Sequence, residues 1–90
     1  MSTVVDDLIR DHISFLHEQI RPENKPEENQ TLRLQAEILQ TADLNKLEAS
    51  ILIRRNHLMQ STNVKEMDRL FVELEALEWL QRQVKRSKEV

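Results

Sequence analysis

Not one glycine occurs among the 90 residues of this chain, and that absence constrains its fold more than any motif it contains. Glycine supplies the backbone freedom that tight strand-to-strand turns demand, and a sheet needs β-branched runs punctuated by Gly or Asn-Gly turns. Neither is present. Only two prolines interrupt the chain, tyrosine is missing, and Leu, Glu, Gln, Lys, Arg and Ala dominate. These residues lose little side-chain freedom in a helix. The sequence therefore predicts an all-α protein, and its length allows one small hydrophobic core, hence a single domain over residues 1–90.

The same absence excludes several chemistries. Phosphate cradles of the nucleotide- and dinucleotide-binding types need glycine so that the backbone can approach the phosphates. With no cysteine either, thiolate catalysis, disulfides, zinc fingers and iron–sulfur ligation are closed to the chain. The opening MSTVVDDLIRDHISF carries three aspartates and lacks the basic-then-apolar pattern of a secretory signal. No apolar run approaches the roughly 20 residues that span a bilayer. A cytoplasmic protein is expected, with the nucleus as an open alternative.

Net charge is −3 with both signs intermixed, which disfavours a general nucleic-acid binder that must neutralise many phosphates with one basic face. The one basic cluster, Arg82, Lys85, Arg86 and Lys88, suits the negative end of a helix dipole. It is also the only candidate electrostatic patch for an anionic partner.

Periodicity divides the chain into three predicted helices. The first, about residues 3–21, starts with Thr3 as a cap and Asp6 three positions on, and buries Val5, Ile9, Ile13, Leu16 and Ile20, with Leu8 and Phe15 widening the stripe. Pro22 ends it. After a loop at about 22–25, Pro26 opens a second helix that meets no breaker until Gln60. The third, about 63–88, begins at the capping pattern Asn63/Glu66 and carries a seam of Met67, Leu70, Leu74, Leu77, Gln81 and Val84 in alternating steps of three and four. The expected architecture is a three-helix bundle with coiled-coil-like packing: a long antiparallel hairpin of the second and third helices, joined by the shorter first helix.

The apolar count exceeds what that bundle can bury. Opposite the seam of the third helix lies a second stripe, Val72, Ala76 and Trp79, with Leu80 beside it and Gln83 continuing it. The second helix doubles likewise: Leu44, Leu47, Ile51 and Leu58 form one stripe, and Leu34, Ile38, Leu52 and Met59 another. A helix in a lone bundle needs one broad apolar face. The stripe around Trp79, the only tryptophan, therefore reads as a docking surface for another chain, since buried tryptophan often dominates binding energy. The competing reading has the chain's own helices cover it.

No constellation specifies catalysis. His12 lies on the apolar side of the first helix and His17 towards the polar side, so they do not converge as a metal pair. Glu73, Glu75 and Glu78 read as solvated flanks of a seam, and Arg33, Lys46, Arg54 and Arg55 are scattered by angle. The stretch FLHEQIRPE around His17 resembles, over a few residues, the phosphoacceptor box of two-component histidine kinases. It departs from that box at the inserted Gln19 and in the spacing to Pro22, and no nucleotide-binding domain follows. The sequence thus predicts a non-catalytic interaction module, an adaptor, chaperone, inhibitor or complex subunit, with no metal, cofactor or small-molecule substrate. Its partner is a protein, either a second copy or a dedicated chain. The alternatives are a nucleic-acid-binding regulator acting through the basic C-terminal residues, a small oligomeric enzyme, and a phosphotransfer domain.

Overall fold

In the computed structural model, which describes residues 4–88, the periodic segments form four α-helices among the described residues: α1 Val4–Gln19, α2 Pro26–Thr41, α3 Leu47–Gln60 and α4 Val64–Lys88. Thr3 and the Lys88 side chain lie outside the described residues. The protein is all-α, and none of its described helices is long and apolar enough to cross a membrane.

The single second helix expected over 26–60 is instead two, a correction with a local cause. After Thr41 the backbone turns extended at Ala42 (φ −66°, ψ 135°) and stays so at Asp43. The Asp43 carboxylate then accepts the Asn45 N–H at 2.9 Å, capping a short 3-10 turn, Leu44–Lys46, that leads into α3. Aspartate is among the strongest residues for this role because its oxygen satisfies an amide that the first turn leaves without a partner. Thr41 adds a second competitor to the helix ladder by donating its hydroxyl to the Glu37 carbonyl at 2.9 Å.

Lacking glycine, the chain ends its helices without left-handed caps, and no described residue has positive φ. Asparagine side chains take over at the end of α1. The Asn24 amide donates to the Gln19 carbonyl at 2.7 Å and to Asn29 Oδ1 at 3.0 Å, while the Asn29 amide donates to the Arg21 carbonyl at 2.9 Å. This bracket folds Arg21–Lys25 back so that α2 runs against α1. At the start of α4, Asn63 Oδ1 accepts the Lys65 and Glu66 N–H groups at 3.0 and 3.3 Å. The reciprocal half of a capping box is not made, because the Asn63 N–H goes to the Ser61 hydroxyl and Glu66 pairs with His57.

The break at Asp43 decides the architecture. α4 packs against α1, α2 and α3, while among the described residues the backbones of α2 and α3 stay apart. Ion pairs from α3 reach Glu73 and Glu78, which flank the seam Leu70, Leu74 and Leu77, so α3 lies on that seam. The other side of α4 is covered by α1 and α2. The core joins Val5 and Leu16 of α1, Ala36 and Leu39 of α2, Leu47 and Ile51 of α3, and Leu74, Ala76, Leu77 and Leu80 of α4. Leu80 is completely enclosed. Leu80→Ala is expected to cost about 2–5 kcal/mol in denaturant unfolding, whereas Met59→Ala, at a position 84% exposed, should stay within about 0.5 kcal/mol.

Candidate functional site

The residues assigned from periodicity to a docking stripe lie on the inner side of α4. Ala76 and Leu80 are buried among the chain's own helices, and Val72, Trp79 and Gln83 are half-buried. The Trp79 indole stacks on the His12 imidazole of α1 at a centroid distance of 4.1 Å and 15° between planes, and His12 in turn stacks on Phe15 at 5.9 Å. The correction has a simple origin. Because the chain breaks at Asp43, α2 packs on α4 alongside α1, on a side that α3 leaves open.

Burial also alters His12. Loss of water around the ring pushes its pKa below the ordinary histidine value of 6.5, since the charged imidazolium is the form that suffers from desolvation. His17 is exposed, and beside it Ile9, Ile13, Leu39 and Leu44 floor a shallow open groove between α1 and the end of α2. His57 is engaged with Glu66. Among the described residues no set of three or more His, Cys, Asp or Glu side chains is grouped to hold a metal ion.

The carboxylates and arginines are more organised than their spacing suggests. Glu73, expected on a solvated flank, is buried, with Arg54 Nε at 2.8 Å on one oxygen and Arg69 Nε at 3.0 Å on the other. Arg54 also donates to the Ser50 carbonyl at 3.3 Å, which holds it along α3. Glu78 accepts from Arg55 at 2.7 Å. Arg54 and Arg55 therefore converge on α4, one on each side of the seam, and tie α3 to it. Arg82, Lys85 and Arg86 are exposed at the far end of α4.

One surface feature was not assembled from the sequence. Leu52, Met59, Val64 and Phe71 are all more than half exposed. Leu52 and Met59 stand three residues before and four after Arg55, on its face of α3, and Phe71 and Val64 stand one and two heptads before Glu78, on its face of α4. Because Arg55 and Glu78 are bonded to each other, the four apolar side chains share one broad face of the α3–α4 hairpin. The spacing of Leu52 and Met59 already marked half of this face. Phe71 and Val64 fall off the seam and carried no periodic signal of their own.

No family model, curated protein or solved structure matches this chain. The reading of its function rests on its own surface.

Two expectations follow from the contacts. Because the folded pKa of His12 lies below the unfolded value, its contribution to stability is complete above about pH 6.5 and is lost as pH falls through the folded value. Acidification from neutrality should lower the unfolding midpoint and change Trp79 fluorescence, and His12→Phe should remove that component of both. Glu73→Ala leaves Arg54 desolvated without its carboxylate and should cost about 1–3 kcal/mol in denaturant unfolding. Arg69→Ala, at an exposed side chain, should cost less than about 1 kcal/mol.

Proposed function

We propose that this chain is a non-catalytic protein–protein interaction module that docks through the exposed face of the α3–α4 hairpin, with Phe71, Leu52, Met59 and Val64 as its apolar contacts. This relocates the docking surface from the Trp79 stripe, which serves the internal core, to the outer side of the same hairpin. The observation that carries the reading is surface left over after folding. The chain exposes 6877 Å² at a mass of 10.7 kDa, where a compact monomer of that mass exposes about 5,500 Å². Its radius of gyration, 14.0 Å, also exceeds the about 12 Å of a compact domain of this length.

Apolar side chains in a contiguous exposed face favour association because covering them removes ordered water, and aromatic and methionine side chains adapt well to a partner surface. The Arg55–Glu78 pair within the face neutralises itself, so the face carries little net field. An alternative anchored on Arg82, Lys85 and Arg86 is a complex with nucleic acid. The two readings differ in salt dependence, since phosphate contacts weaken steeply with salt and apolar docking does not.

The test is capture of partners from the native extract by wild type, Phe71→Glu and Arg82→Glu side by side, at low and high salt. Phe71→Glu is expected to lose the salt-tolerant partner while keeping wild-type helix content by circular dichroism, because the side chain is 56% exposed and carries little of the core. A partner retained by Phe71→Glu and lost by Arg82→Glu, only at low salt, would transfer the function to the basic end of α4.

A further inference from the structure

The identity of the partner can be taken one step further, resting on the docking face just proposed. We propose that the occupant of that face is a second copy of this chain, in a two-fold contact that stacks one α3–α4 hairpin on the other.

Three observations carry this. The first is area. The surface in excess of a compact monomer is about 1,400 Å², more than the roughly 800 Å² that each partner contributes to a stable specific interface. The excess is therefore enough to supply one side of a symmetric contact of standard size.

The second is the shape of the face. Arg54 bonds to Glu73 and His57 to Glu66, so the stretch of α4 between residues 66 and 73 runs level with the stretch of α3 between 54 and 57. Phe71 thus stands beside the gap between Leu52 and Met59. The face carries a knob on one helix and, level with it, a hole on the other. A two-fold axis running along the hairpin exchanges α3 and α4, which sets the knob of each copy over the hole of its mate. A patch that holds both halves of its own complement is built for isologous contact.

The third is charge. The ion pair inside the patch, Arg55–Glu78, closes on itself within one chain. Nothing in the middle of the face selects a partner of opposite sign, and nothing there repels an identical face.

Sedimentation equilibrium of the full chain across the micromolar range tests the proposal, with disulfide trapping as the second measurement. The chain has no cysteine of its own, so single replacements report geometry directly. Wild type is expected to dimerise, and Phe71→Glu to weaken self-association by about tenfold or more with unchanged circular dichroism. In the stacked arrangement Val64 of one copy faces Met59 of the other. A mixture of Val64→Cys and Met59→Cys chains should therefore form the mixed disulfide faster than either variant forms a disulfide with itself. A monomeric wild type at high micromolar concentration overturns the second-copy proposal, as does a dimer that Phe71→Glu leaves intact. If the chain is monomeric and Phe71→Glu still loses a different captured protein, the docking face survives and only its occupant changes. If the chain is monomeric and no captured protein distinguishes the two, both readings fall.

Discussion

The whole fold depends on α4 being buried along a broad arc shared by two sets of neighbours. One side, Leu70, Leu74 and Leu77, closes on α3, and the other, Ala76 and Leu80, closes on α1 and α2. Among the described residues α2 and α3 do not pack backbone to backbone, and α4 packs against both halves of the molecule. A single enclosed side chain such as Leu80 therefore links helices that would otherwise be independent pairs. In a chain that has little core to spare, this arrangement makes the folding of α1–α2 and of α3–α4 conditional on the same helix.

The ends of the helices show how a chain without glycine still turns corners. Every connection uses extended residues and side-chain hydrogen bonds in place of left-handed backbone. Asn24 and Asn29 bracket the first turn, Asp43 caps the second, and Ser61 with Asn63 caps the third. These residues were legible individually, because short polar side chains favour caps and turns for a known reason. What could not be read from Asp43 alone was the choice between a cap and a tolerated interior residue. Thr-Ala-Asp contains no proline or glycine, and the apolar spacing continues past it, so periodicity ran the helix on to Gln60.

That one omission explains most of what the sequence left unresolved. With a single long second helix, the hairpin partner and the short first helix both sit on the seam side of α4, and the stripe of Ala76, Trp79 and Leu80 has nowhere to go inside the chain. With the break, α1 and α2 occupy that side and His12 meets Trp79. The all-helical class, the seam of α4 and the role of Asn63 were accessible because each depends on local spacing. The Glu73 cluster and the Phe71 face were not, because they depend on which helix lies beside which. Arg54 and Glu73 are 19 residues apart, and only the packing of α3 on α4 brings them together.

The distribution of polar and apolar groups on the two sides of the α3–α4 hairpin then has a physical meaning. On one side the helices are joined by Arg54 with Glu73, whose other oxygen Arg69 of the same helix holds, and by His57 with Glu66, so charge is consumed in holding the hairpin closed. On the other, Arg55 and Glu78 provide the single link, and the positions around it carry Leu52, Met59, Val64 and Phe71. Apolar side chains there add little to the monomer's core, because each is more than half exposed and none belongs to the buried cluster. Solvent alone would favour polar residues at such positions, as it does for Glu75 and Arg82 further along α4. The free energy available from covering these side chains is thus held in reserve by the folded monomer, and an association that released it would stabilise the hairpin and, through α4, the α1–α2 half as well.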